Sequence, residues 1–247
     1  MVGTRRRLDI ALAARGLVRS RAEARRAIEA GLVTVGDRAA AKASEMVGDD
    51  EAITLAGPVH PYVSRGGLKL SHALDHFAIP VEERLALDVG ASTGGFTDVL
   101  LRRGARKVYA VDVGHGQLDA SLRDDPRVVS LERLNVRAID QAHVPEPVDL
   151  IVCDVSFIGL RVALPAALSL AAPGADLVAL IKPQFEVGPS RVGKGGIVRD
   201  AALHRQACAT ISDWLDAQPG WSVRGIIDSP IKGGDGNLEF LIAAHRA

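Results

Sequence analysis

The sequence predicts an α/β protein in two parts: a small α+β unit, then a doubly wound, mostly parallel sheet of seven strands. Three observations carry this. From Leu85 onward, apolar β-rich runs alternate with helical stretches. Before Gly57 the chain shows two short helical patterns followed by short strand patterns. Gly57-Pro58, and then His60 to Gly67, separate the two regions as a turn-rich linker. The boundaries read as 1–58, 59–67 and 68–247. A chain of 247 residues has room for a domain of about 150–190 residues plus a small one.

In the first region Leu8, Ala11 and Leu12 recur at helical spacing, and Gly16 follows as a stop. Ser20 N-caps a second helix, with Glu23 three residues on as in a capping box. Ala24, Ala27 and Ile28 give that helix its apolar face, and Gly31 ends it. Leu32 to Val35 and Ile53 to Leu55 read as strands, with Gly36-Asp37 as a turn.

In the second region the predicted strands are Leu85–Val89, Val108–Val113, Val128–Leu131, Leu150–Val155, Leu177–Ile181, Val223–Ile227 and Leu238–Ala243. Continuous apolar runs are the mark of strands buried on both faces. The Gly-rich turn Lys232 to Asn237 predicts an antiparallel hairpin that closes the sheet.

Composition narrows the function. Basic and acidic residues balance at 30 each, which excludes a globally cationic nucleic-acid binder. Locally the balance fails: residues 1–30 hold eight arginines against three acidic residues. No apolar run reaches membrane-spanning length; Leu168 to Ile181 is broken by Pro173, Gly174 and Asp176. The apolar stretch after Arg5-Arg6-Arg7 stops at Arg15, too short for a secretory signal. Cys153 and Cys208 form neither a disulfide framework nor a metal-ligand spacing. A cytoplasmic monomer with no metal and no membrane partner is expected.

The chemistry gathers at predicted strand tips. The first large strand carries Asp88 and runs into Gly90-Ala91-Ser92-Thr93-Gly94-Gly95-Phe96-Thr97. A glycine turn between buried strand and helix lets a ligand approach the backbone, but the spacing is not G-x-G-x-x-G. Asp112, before Val113 at the second tip, is placed to take the ribose hydroxyls of a nucleoside cofactor. That geometry suits NAD or S-adenosylmethionine equally. Asn135 follows the third strand, where it either borders an adenine or caps its own turn.

Asp154 ends the fourth strand and Lys182 the fifth. A lysine at a buried tip requires a partner, and the neighbouring Asp154 is a natural one. Cys153, one residue before Asp154, should point to the opposite face and into the core. The stretch Glu186 to Asp200, with four glycines, Arg191, Lys194 and Arg199, reads as a flexible, basic, substrate-gripping loop. Lys69 precedes the sheet, and Glu239 lies at the start of the last strand.

As a set, Lys69, Asp154, Lys182 and Glu239 resemble the K-D-K-E tetrad of FtsJ-like ribose 2′-O-methyltransferases. His60-Pro61-Tyr62-Val63-Ser64-Arg65-Gly66-Gly67, Lys182-Pro183-Gln184-Phe185-Glu186 and Lys194-Gly195-Gly196 more narrowly resemble the TlyA family. Residues 5–56 resemble the small RNA-binding domain first seen in small-subunit ribosomal protein four, with Ser20-Arg21 and Ala24 on its second helix.

The resemblance implies a Rossmann-like class I fold binding S-adenosylmethionine through Asp88, Gly90, Ser92, Gly94, Gly95, Phe96, Thr97, Asp112, Val113, Asn135 and Asp154. It implies methylation of a cytidine 2′-hydroxyl in ribosomal RNA, free or in ribosomal subunits. The RNA is the large-subunit one and, for some members, also the small-subunit one. RNA contacts would fall to Arg5, Arg6, Arg7, Arg19, Arg21, Arg25, Arg65 and Lys194. The family also carries a hemolysin label. A ribosome-binding assembly factor without turnover, a membrane-active protein and an NAD dehydrogenase are the competing readings.

Overall fold

The computed structural model describes residues 5–18, 20–29, 31–56, 60–233 and 236–247. Arg19, Val59 and the Gly57-Pro58 turn therefore lie outside the described residues. The chain divides into two compact units, Met1–Pro61 and Tyr62–Ala247.

The first unit runs β1 (Arg5–Arg7), α1 (Leu8–Ala14), α2 (Arg21–Glu29), β2 (Val33–Val35), β3 (Arg38–Ala39), β4 (Met46–Gly48) and β5 (Ile53–Leu55). Strand β2 is the centre of an antiparallel three-stranded sheet between β3 and β5. The Ser20 hydroxyl accepts the Glu23 backbone N–H at 3.2 Å, which fixes the start of α2. Leu8, Leu12, Ala24, Ile28, Val33 and Val47 form one small core. The arginine triplet is itself a strand, β1, paired antiparallel with β4. Three consecutive cations carry no alternating pattern, so this strand was invisible to periodicity.

The second unit opens with α3 (Gly66–His76), so Gly66 and Gly67 of the expected linker are its first residues. There follow β6 (Leu85–Val89), α4 (Gly95–Arg102), β7 (Lys107–Val111), α5 (Ala120–Arg123), β8 (Val128–Leu131) and β9 (Val148–Cys153). Then come α6 (Leu160–Ser169), β10 (Ala171–Ile181), α7 (Pro183–Glu186), α8 (Ala201–Asp216), β11 (Trp221–Asp228) and β12 (Phe240–Arg246). The sheet order is β11-β12-β10-β9-β6-β7-β8. Strands β8, β7, β6, β9 and β10 are mutually parallel, as the apolar runs predicted. The closing hairpin is also present, but its last strand is not the edge. Strand β12 inserts antiparallel between β10 and β11.

Each face of the sheet is covered. Leu160, Leu164, Ile211 and Leu215 of α6 and α8 pack with Leu87, Ile151 and Ile242 on one side. Leu70, Leu74, Val99 and Leu100 of α3 and α4 pack with Ala86, Leu150 and Leu241 on the other. Chain order reverses between β6 and β9, and that switch places a crevice beyond the carboxyl ends of the strands.

The opposite edge is tied by a buried carboxylate. Asp176 on β10 accepts from Arg84 Nη1 at 2.7 Å and faces His245 Nδ1 at 3.0 Å and Arg224 Nη1 at 3.6 Å. It thereby joins β10, β11 and β12 to the segment entering β6. Asp176→Asn removes the charge from this cluster and leaves the three-quarters-buried Arg84 with neutral acceptors only, the Asp149 carbonyl among them. Breaking a buried pair costs about 3–5 kcal/mol, and the half-exposed Arg224 and His245 put this case near 3. Chemical denaturation should show that loss with an unchanged m-value.

Candidate active site

The turn after β6 is shaped by its own protein. Gly90 has φ +87°, and a Cβ there would lie 2.8 Å from the Asp154 carbonyl oxygen. A Cβ on Gly95 would lie 2.1 Å from Ser64 Oγ and 3.1 Å from the Gly67 nitrogen. The Ser-Arg-Gly-Gly string and the glycine turn are thus two halves of one close contact between α3 and α4. Asp98 holds the same segment by accepting the Val63 N–H at 2.8 Å.

Asp88 lies behind the turn, fully buried. Its Oδ2 accepts from Thr97 Oγ1 at 2.6 Å, and its Oδ1 has no partner. Burial pushes this carboxyl up to about 7, against the Thr97 hydrogen bond, with Asp154 and Asp112 adding repulsion. Asp88, Gly94 and Thr97 shape the turn from behind; none of the three lines the cleft.

The cleft has two lobes that share Gly90, Ser92, Asp154 and Ser156. The larger, about 460 Å³, is lined also by Asp112, Val113, Gln117, Asn135, Val136 and Phe157. Its volume suits a small organic ligand. Asp112 accepts the Ser92 N–H at 2.8 Å and the Gly114 N–H at 2.6 Å. A carboxylate has about four acceptor positions, so two remain for a ligand. Asn135 caps its own turn, accepting the Arg137 N–H at 3.1 Å, and still borders the lobe. Val113 is 72% exposed beside it.

The smaller lobe, about 260 Å³, is lined by Arg65, Lys69, Phe96 and Lys182 among others. Lys182 lies just past β10. Its Nζ donates to Ser156 Oγ at 2.8 Å and sits 2.7 Å from Asp154 Oδ1. That second contact is an ion pair, and Asp154 Oδ1 accepts no hydrogen bond. Lys69 on α3 donates to Glu239 Oε2 at 2.5 Å, both side chains being over nine-tenths buried. Glu239 itself does not line the lobe; it reaches the site through Lys69. Cys153 is fully buried on the other side of β9, and burial raises its thiol well above the ordinary range.

Three residues take supporting roles that the sequence did not assign to them. Ser156 holds Lys182; it lies two residues after Asp154, a spacing that keeps both on one side of an extended chain. Asn237, two residues before Glu239, is 1% exposed. It accepts the Val198 N–H at 3.0 Å and donates to the Gly196 carbonyl at 2.9 Å, clasping the glycine-rich loop. Glu186 accepts the Leu160 N–H at 2.8 Å and so caps α6 from another element. Lys194 stands exposed on the loop.

In the first unit the expected RNA-contacting arginines are partly engaged. Arg6 pairs with Asp49 at 3.0 Å, and Arg5 lies 3.6 Å from Glu51. Arg7, Arg21 and Arg25 converge on Asp9 at 3.0, 3.2 and 3.5 Å. Arg15 is structural, donating to the carbonyls of Gly48, Asp49 and Glu51. Among the described residues no helix is long and apolar enough to cross a membrane.

A seven-stranded sheet with one reversed strand, a glycine turn and an acidic second tip define a methyltransferase-type α/β domain. The FtsJ-like methyltransferase family model matches residues 62–246, and the S4 domain model matches residues 6–53. The chain is 46% identical over 239 residues to the 16S/23S rRNA (cytidine-2′-O)-methyltransferase TlyA of Mycobacterium tuberculosis, covering 96% of this chain and 89% of that one. It is 41% identical over 237 residues to Hemolysin A of Brachyspira hyodysenteriae, covering 95% and 98%. A solved structure from Streptococcus thermophilus that carries a hemolysin name superposes with a TM-score of 0.77 at 42% identity, covering 98% and 89%. The chain belongs to the FtsJ-like methyltransferase family, in the TlyA group that couples this domain to an S4 domain. The resemblance drawn from its motifs is borne out.

The buried carboxyl at Asp88 yields a signed prediction. Unfolded, it titrates near pH 4; folded, near 7. Folding therefore takes up a proton between these values, and the Asp88 contribution to stability falls as pH rises from about 4 to about 7. Asp88→Asn cannot titrate. Its unfolding free energy relative to the unsubstituted protein should rise across that window and level off above it.

Proposed function

We propose that this chain transfers a methyl group from S-adenosylmethionine to the 2′-hydroxyl of a cytidine in 23S ribosomal RNA, with 16S ribosomal RNA as a second target. The observation that carries the reading is the pair of buried lysine–carboxylate contacts at one cleft, beside a lobe with an acidic strand tip. The names of the relatives supply the cytidine and the ribosomal RNA. The site of action would be the cytoplasm.

The larger lobe fits the cofactor: Asp112 keeps acceptor positions for ribose hydroxyls, and Val113, Val136 and Asn135 offer an apolar and amide surface for adenine. When bound, S-adenosylmethionine supplies an electrophilic methyl group on a sulfonium. The chain's own residues then have to orient a weak nucleophile and handle its proton. Lys182 spends one N–H on Ser156 and lies against the Asp154 carboxylate as an ion pair. That leaves an N–H of the ammonium to hold the ribose oxygen. In this ion-paired form Lys182 orients the hydroxyl, whose proton passes to solvent as the oxygen takes the methyl group, and Asp154 fixes Lys182 and offsets its charge. Lys69, held by Glu239, places a second cation at the same lobe, where it steadies the ribose or a neighbouring phosphate. Positioning of this kind lowers the barrier by several kcal/mol. Arg65 at the lobe and Lys194 on the clasped loop extend the cationic approach for the RNA backbone.

The test is transfer of labelled methyl to purified ribosomal subunits and to naked ribosomal RNA, with Lys182→Ala alongside. Label should enter 23S ribosomal RNA and, as the second target, 16S ribosomal RNA, and alkaline cleavage should be blocked at one ribose in each. Lys182→Ala should lower the rate by about 100-fold or more while cofactor affinity stays within about 3-fold. Cofactor binding with no label on any RNA would favour a ribosome-binding factor without turnover.

A further inference from the structure

The first unit contains one buried acid that the reaction does not use. Asp9 is fully buried at the start of α1, where the positive end of the helix favours a carboxylate. Arg7 of β1 grips it with two hydrogen bonds, Nε to Oδ1 at 3.0 Å and Nη2 to Oδ2 at 3.2 Å. Arg21 Nη2 approaches Oδ2 at 3.2 Å, and Arg25 Nε at 3.5 Å. Arg21 and Arg25 share one face of α2, being four residues apart. The hydrogen bond from Arg7 holds the Asp9 carboxyl down to about 2, so it is ionised at any working pH.

Each of the three arginines remains open on its outer side, with side chains 40%, 54% and 53% exposed. A guanidinium has five donors in a rigid fork. Only the inner edge is spent on Asp9. The contrast lies with Arg6, whose partner Asp49 is as exposed as itself. Such a surface pair orders little.

We propose that Asp9 is the positioning residue of the RNA-backbone site in this unit, holding Arg7, Arg21 and Arg25 as one fan whose outer edges meet neighbouring phosphates. The proposal rests on the RNA-binding reading above. Three cations brought to one point repel each other. One carboxylate at the hub offsets part of that repulsion and fixes their directions before the ligand arrives. Ordering three long side chains in advance is worth about 10-fold or more in affinity.

The sign of the effect separates this from simple attraction. Asp9→Asn makes the protein more cationic by one charge, which by itself strengthens binding to a polyanion. Positioning predicts the reverse. The measurement is affinity of the full chain for purified large-subunit ribosomal RNA across a salt series. Asp37→Asn, the same charge change in an exposed turn of the same unit, is the control. Asp9→Asn should weaken binding about 10-fold and flatten the salt slope by about 1. Asp37→Asn should bind as well or slightly better, and cofactor affinity should not change in either. If the unsubstituted chain binds RNA and Asp9→Asn binds as tightly or tighter, the inference about Asp9 is overturned. If the unsubstituted chain shows no salt-dependent affinity, the RNA-binding reading falls first. Should Asp9→Asn lose the amide dispersion of a folded first unit, Arg21→Gln and Arg25→Gln decide. Each should cost about 10-fold more than Arg6→Gln, and equal losses would overturn the fan.

Discussion

Taking Lys69 and Lys182 out of water at one edge of the sheet is tolerable because Glu239 and Asp154 lie 2.5 and 2.7 Å from them. Desolvating each ion costs several kcal/mol, and a close counter-charge offsets that cost without turning it into a gain. Well-packed apolar side chains would serve stability at least as well. The two pairs therefore make sense as a site rather than as cement. What they require from the fold is that four side chains, spread over 170 residues, end at the same edge.

Strand direction meets that requirement. Asp112, Asp154 and Lys182 each lie one residue beyond the carboxyl end of a parallel strand, β7, β9 and β10. Glu239 lies one residue before the amino end of β12. Because β12 runs antiparallel, its beginning falls where its neighbours finish. A seventh parallel strand would carry Glu239 to the opposite edge, beside the Asp176 cluster. The reversed strand is thus what lets Lys69 be buried. The close approach of Gly95 to Ser64 then anchors the helix that brings Lys69 in.

Much of this was legible in the sequence because buried strands write themselves as apolar runs and functional polar groups interrupt them at the tips. Asp112, Asp154 and Lys182 stood out for that reason. Strand starts were less legible. The run β10 begins at Ala171, but Pro173 and Gly174 break its register, and the sequence pattern reads clearly only from Leu177. The insertion of β12 depends on pairing between distant segments, which no local pattern records. Asn135 had two readings, and the structure realises the turn cap without removing it from the cleft. The role of Asp9 was hidden for a different reason. In sequence it is one of three acids among eight arginines, and only burial distinguishes it from a surface charge.

Net neutrality sets a constraint on how such a chain can engage a polyanion. With 30 basic and 30 acidic residues, long-range attraction is weak, and over a Debye length of about 8 Å only local clusters are felt. Several first-unit arginines are committed internally: Arg15 to three carbonyls, Arg5 and Arg6 near acidic partners. Recognition then depends less on the number of cations than on which of them face outward in fixed directions. The same logic holds at the cleft, where Lys69 and Lys182 matter through the N–H directions their partners leave unspent. In both units an acid with little or no exposure decides what a base can do.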